Sequence, residues 1–283
     1  MESPTLSTLT TGDGVRIAYC LDGSPDKPVL LLSNSIGTDL HMWDAQVREF
    51  TEHFRVLRYD ARGHGASDAP AGPYSLDRLG RDVLELMDAL DLRRAHLLGL
   101  SLGGYVAAWL AIHAPERVDR LVLSNTAAYL GPARRWDEAI AEVLAAPDMR
   151  TTAETFLHNW FPARLLQAGD PVVEKFRRTL LATPRAGIAG AWAAVRDADL
   201  RRTLALIGNP TLVIAGGNDT VTSARHGEEI AGSVPGARLR ILPTVHLSNI
   251  ELPEEFMAAV LPFLTAPASA EPALSEPALT SPA

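Results

Sequence analysis

The sequence predicts an α/β fold: a mostly parallel sheet covered by helices on both faces, with a block of helices inserted before its last two strands. Three observations carry this. Short β-rich apolar runs alternate with longer amphipathic stretches. Several of those runs are apolar at nearly every position, as strands buried on both faces require. Between Asn125 and Asn209 the alternation stops and only helical patterns remain.

Taken in order, "VRIAYC", "PVLLLS", "FRVLRYD", "AHLLGL", "RLVLSN", "PTLVIAGG" and "RLRILP" read as strands. The segment "SLDRLGRDVLELMDALDL" places Leu79, Val83, Leu86, Met87 and Leu90 at helical spacing. "EEIAGSV" and "PEEFMAAVLPFL" read as helices with acids in their first turns, where the dipole favours them. The inserted helices are "RRWDEAIAEVLAA", "TTAETFLHNWF", "DPVVEKFRRTLLA" and "AGIAGAWAAVRDA", expected to form a lid over the C-terminal sheet edge. The expected organisation is a core over residues 1–124, the lid over 125–205, the second part of the core over 206–264, and a disordered Pro/Ala/Ser/Glu tail over 265–283.

Composition narrows the function. The 283 residues are 47% hydrophobic, enough for a sizeable core. A formal charge of −8 opposes the basic face that nucleic acids need, so no nucleic-acid partner is expected. No apolar run approaches the roughly 18 residues of a spanning helix, and "MESPTLSTLTTGDG" does not read as a secretory signal. With a single cysteine, Cys20, excluding an internal disulfide, a cytoplasmic protein with no membrane partner is expected. His41, His53, His96, His113, His158 and His226 lack any ligand spacing, so no metal is expected, and Lys27 and Lys175 sit in no phosphate-binding context.

The chemistry centres on "HLLGLSLGGYVAAW". If a strand ends at Leu100 and a helix begins after it, Ser101 occupies a sharp strand-to-helix turn, and Gly99 and Gly103 become steric requirements. Gly104 would let the helix approach the sheet closely. This Gly-X-Ser-X-Gly elbow presents a hydroxyl at the positive end of a helix. A serine needs a base, and the base needs an orienting group. Asp219 follows one apolar strand and His246 follows the next, both at strand C-terminal ends where open α/β sheets gather their sites. The oxyanion donors are expected to be the N–H of Leu102, after the nucleophile, and of Ile36 in "NSIGTDLHMW". His64, with Asp60 and Arg62 in "YDARGHGASD", reads as a structural network, with a catalytic role as the alternative.

With elbow, acid and base in place, residues 9–264 resemble an α/β-hydrolase with a helical lid, and within that superfamily are similar to the 3-oxoadipate enol-lactonases of the β-ketoadipate pathway. The stretches that carry the resemblance include "LSNSIGTDLHMWDAQ", "FRVLRYDARGHGASDAP", "LLGLSLGG", "SNTAAYLG", "RDADLR" and "HLSNIELPE". The resemblance implies an eight-stranded sheet, a cofactor-free serine hydrolase of a small lactone or ester, Ser101 as nucleophile, Asp219 as orienting acid and His246 as base. It also implies that Ile36 and Leu102 serve the oxyanion and that Trp136 walls the substrate pocket. In the family "NTAA" is followed by an arginine suited to a substrate carboxylate. Tyr129 stands there instead, so Tyr129, Arg134 and Arg135 are the candidate substrate contacts. The rival expectations are a general carboxylesterase with an apolar pocket and a catalytically silent binding module. A nucleophilic aspartate would have indicated dehalogenase chemistry.

Overall fold

A computed structural model describes residues 5–267. Its first half runs β1 (Ser7–Thr10), β2 (Arg16–Asp22), β3 (Val29–Ser33), α1 (Asp44–Phe50), β4 (Arg55–Tyr59), α2 (Leu76–Ala89), β5 (Ala95–Leu100), α3 (Leu102–His113) and β6 (Val118–Ser124). The helices α4 (Ala133–Ala145), α5 (Arg150–Trp160), α6 (Ala163–Ala168), α7 (Pro171–Ala182) and α8 (Arg185–Asp197) follow without a strand between them. The chain then returns through β7 (Thr211–Gly216), α9 (Ala224–Ser233), β8 (Arg238–Leu242), α10 (Ser248–Glu251) and α11 (Pro253–Leu264).

The eight strands form one sheet in the order β1-β2-β4-β3-β5-β6-β7-β8. The β1-β2 and β2-β4 pairs are antiparallel; from β4 to β8 every pair is parallel. Alternation along the strands feeds two cores. Leu31, Leu57, Leu97, Leu121 and Val213 join Val83, Leu86 and Trp109 on one face. Their neighbours Leu30, Val56, Leu98, Val122 and Leu212 join Phe50, Phe256 and Val260 on the other. This period of two, with both faces buried, is why the central strands read as unbroken apolar runs.

The two ends of the lid are joined to each other, and its helices are tied to the body at several points, Lys175 of α7 pairing with Asp44 of α1 at 2.8 Å among them. At its base Tyr129 and Asp199 form an isolated antiparallel bridge, and Leu200 N–H donates to Ala128 O at 2.8 Å. Along its length Tyr74 N–H donates to Gly190 O of α8 at 3.1 Å. Among the described residues no helix is long and apolar enough to cross a membrane.

Two local features depart from the sequence reading. The strand β1, "STLT", is short and largely exposed, so no apolar pattern marks it. The helix α9 begins at Ala224, which puts Glu228 and Glu229 beyond its first turn; Ser223 precedes it as the flanking residue. At the start of the stretch expected to be a tail, Arg120 Nη2 donates to Ala266 O at 2.9 Å. The rest of that tail, from residue 268, lies outside the described residues.

Candidate active site

Ser101 lies between the last residue of β5 and the first of α3, with φ 58° and ψ −116°, a strained conformation for a residue bearing a Cβ. Its flanking glycines have no alternative. A Cβ on Gly99 would stand 2.0 Å from Gly103 O, and one on Gly103 would stand 2.1 Å from Ser33 O. The elbow is therefore compressed between its own helix and β3, which leaves the Ser101 side chain partly exposed at the sheet edge. Gly104 packs against the Thr126 side chain of the neighbouring strand end.

Asp219 follows β7 and is buried. Its Oδ1 accepts from the N–H groups of Val221 and Thr222 at 2.8 and 3.0 Å. Its Oδ2 accepts from Thr222 Oγ1 at 2.8 Å, from His246 Nδ1 at 2.8 Å and from Asn125 Nδ2 at 3.2 Å. Burial alone would push this carboxyl up, but the charge and hydrogen bond of His246, with the Thr222 donors, outweigh it and hold the group well below the usual carboxylate range. An ionised Asp219 can only accept, so the ring nitrogen facing it, His246 Nδ1, carries a proton. Ser101 and His246 line one cavity, and no hydrogen bond joins them in this structure. Such contacts commonly tighten only when substrate is bound.

The placement of Ile36 and Leu102, the expected oxyanion donors, follows from the loop after β3. Gly103 N–H donates to Asn34 O at 3.0 Å, and Trp43 Nε1 donates to Asn34 Oδ1 at 2.8 Å, which ties that loop to the start of α3. Ile36 and Leu102 are thereby brought to the same cavity wall. Neither N–H donates to any described residue, so both remain available to an incoming anion.

The cavity holds about 400 Å³ and is roofed by lid side chains. Trp136 from α4, Phe156 and Trp160 from α5, and Trp192 from α8 form a continuous aromatic wall. The Trp136 and Trp192 ring centroids are 6.3 Å apart, Phe156 stacks on Trp192 at 5.9 Å, and Phe156 meets Trp160 at 5.0 Å. Sequence reasoning named only Trp136. The i, i+4 spacing of Phe156 and Trp160 was the available signal, but their meeting with Trp192 is a tertiary event. A larger hollow, about 510 Å³, lies by the start of β5 among Asp88, Arg93, Glu116 and Arg117. It contains no nucleophile or base of this kind, so the chemistry assigns the site to the smaller cavity.

The candidate substrate contacts separate cleanly. Arg135 lines the cavity with its guanidinium 5.9 Å over the Trp136 ring, and it makes no ion pair among the described residues. Arg134 does not reach the cavity; it is solvent-exposed and pairs with Glu138 at 2.9 Å, one turn along α4. Tyr129 is also outside, because its bridge to Asp199 holds it at the lid base with the Arg201 guanidinium 4.1 Å over its ring. The two expectations for Arg134 and Tyr129 as substrate contacts are corrected accordingly.

His64 is absent from the cavity lining. Its Nδ1 lies 3.2 Å from Arg62 O, and burial pulls the ring down to about 4, so it stays neutral with a buried Nε2 that has no partner among the described residues. Asp60 accepts from the N–H groups of Leu40 and Ala66 at 2.7 and 2.8 Å, and Arg62 pairs with Asp82 and Asp13. These residues tie neighbouring loops together and are absent from the lining of the cavity that holds Ser101 and His246. Cys20 is buried.

Residues 28–253 match the alpha/beta hydrolase fold family. The chain is 39% identical over 253 residues to "3-oxoadipate enol-lactonase 2" of Acinetobacter baylyi, covering 89% of this chain and 94% of that one. Among solved structures it is similar to the enol-lactonase from Burkholderia xenovorans LB400, with a TM-score of 0.89, 39% identity, and coverage of 92% of this chain and 100% of the other. A hydrolase from Pseudomonas aeruginosa PA01 is 66% identical with a TM-score of 0.91, covering 92% and 98%.

Proposed function

The chain belongs to the α/β hydrolase fold family, as an enzyme of the kind that hydrolyses ester bonds, and from that premise we propose that it opens the ring of 3-oxoadipate enol-lactone to give 3-oxoadipate. Residues 1–124 and 206–264 would then be the hydrolase core, and residues 125–205 the lid of its substrate chamber. One observation carries the reading: Ser101 and His246 open onto an aromatic chamber whose rim includes Arg135, an exposed residue with no ion pair among the described residues, alongside Glu142.

In this reading Ser101 Oγ attacks the ring carbonyl while His246 Nε2 takes its proton, and Asp219 stabilises the resulting imidazolium. The carbonyl oxygen becomes an anion and meets the N–H groups of Ile36 and Leu102, each contributing on the order of 3 kcal/mol. The ring C–O bond then breaks. The imidazolium returns its proton to the departing enol oxygen, and tautomerisation to the ketone makes ring closure unfavourable. A water, deprotonated by His246, releases the acid from Ser101 and restores the hydroxyl. Trp136 flanks the ring, and Arg135 reads the free carboxylate of the substrate at the chamber wall.

A second reading, a general carboxylesterase, draws on the same chamber, whose walls are mostly apolar side chains. Initial rates decide between them. The lactone should be consumed far faster than p-nitrophenyl acetate, and equal or reversed rates would favour the esterase.

A further inference from the structure

Asn125 is the residue after β6, and its φ of 42° lies in the left-handed region. It is buried. An asparagine tolerates this conformation better than most residues, yet the strain calls for a reason. The side chain supplies one. Ser124 Oγ donates to Asn125 Oδ1 at 2.9 Å, which turns the amide NH₂ toward the triad. From there Nδ2 reaches Asp219 Oδ2 at 3.2 Å and Val245 O at 3.3 Å. Asp219 is on the loop after β7, and Val245 precedes His246 on the loop after β8. One amide thus bridges the loop that carries the acid and the loop that carries the base, while its own N–H is held by Ile214 O at 2.8 Å.

We propose that Asn125 is a positioning residue for the triad, acting through Asp219 and the His246 loop; the proposal rests on the triad reading above. Oδ2 is shared among the imidazole, the Thr222 hydroxyl and the Asn125 amide. Every donor other than the imidazole withdraws charge from the Asp219–His246 bond, so Asn125 limits how strongly the carboxylate holds the imidazolium. It also fixes Oδ2 in direction, because the same NH₂ is tied to Val245 O. The other charged groups at these loops are already committed: Glu251 of α10 accepts from Val245 N–H at 2.7 Å and pairs with Arg164 of α6 at 3.1 Å.

Two variants test this. Asn125→Gly keeps the left-handed backbone accessible and deletes the amide. Asn125→Asp keeps the shape and replaces the donor by a second carboxylate. For Asn125→Gly, kcat should fall about 10- to 100-fold with KM nearly unchanged. In both variants the acidic limb of the kcat/KM profile should move to higher pH, further for Asn125→Asp, because the imidazolium gains negative charge beside it. An unmoved limb in either folded variant, or a wild-type kcat in Asn125→Gly, overturns the proposal. Measured on p-nitrophenyl acetate, the profile is independent of the lactone assignment. A failure of the triad reading shows separately, as turnover that survives Ser101→Ala.

Discussion

Arg135 and Arg134 are adjacent and both exposed on α4, yet the first lies over Trp136 and lines the cavity with no acidic partner among the described residues, while the second is outside that lining and pairs with Glu138. Consecutive helical residues differ by about 100° in direction, so only one of the two can face the chamber.

Arg135→Ala should therefore raise KM for the carboxylate-bearing lactone about 10-fold or more and leave p-nitrophenyl acetate hydrolysis unchanged. Arg134→Ala should match wild type on both substrates, since an exposed pair contributes little. Equal effects of the two substitutions would remove Arg135 from the site.

Ser101→Ala should cost roughly 10⁴-fold or more in kcat while ligand binding survives, and Asp219→Asn roughly 10⁴-fold through loss of the correct imidazole tautomer. Single-turnover kinetics and a binding titration on the same variants separate the two effects. Appreciable turnover by Ser101→Ala would falsify the nucleophile assignment.

Gly103→Ala should destabilise the fold by about 3 kcal/mol or prevent folding, because the added Cβ meets Ser33 O at 2.1 Å and neither backbone segment can yield alone. Urea unfolding midpoints measure it. A variant as stable as the wild type would show that the elbow relaxes more readily than its packing implies.

Two buried groups near the lid oppose each other in pH. Burial pulls His64 from 6.5 to about 4, so its share of stability is present above pH 6.5 and is lost as pH falls toward 4. Burial pushes Asp60 up from 3.8 to about 6, despite the N–H groups of Ala66 and Leu40, so its share is present below pH 3.8 and is lost as pH rises through 6. Each changes stability by about 1.4 kcal/mol per pH unit across its window, with opposite sign, and between about pH 4 and 6 they largely cancel. His64→Gln should unmask Asp60, giving a protein whose unfolding midpoint declines from pH 4 to pH 6. A midpoint profile parallel to that of the wild type would count against the buried, neutral His64.

Much of this arrangement is legible along the chain because each member of the proposed triad stands next to a strand end. Once "AHLLGL", "PTLVIAGG" and "RLRILP" are taken as parallel strands, the residues just past them must share one sheet edge, and Ser101, Asp219 and His246 are those residues. The glycines at 99 and 103 are equally readable, since only a crowded turn excludes a side chain at both. The strand β1 and the six-residue helix α6 are not readable, being too short to show a period.

The chamber is a different matter. Trp136, Phe156 and Trp192 come from three helices whose relative placement depends on how α4 and α8 pack and how the lid is tied down at Tyr129 and Asp199. Periodicity says which face of a helix is apolar, but it does not say which other helix that face will meet. The choice between Arg134 and Arg135 depended on helix rotation in the same way, and the Asn125 clamp on two loops separated from it by about a hundred residues of chain. Local order along the chain was enough to set Ser101, Asp219 and His246 at one sheet edge, whereas the walls around them arose only when distant segments packed.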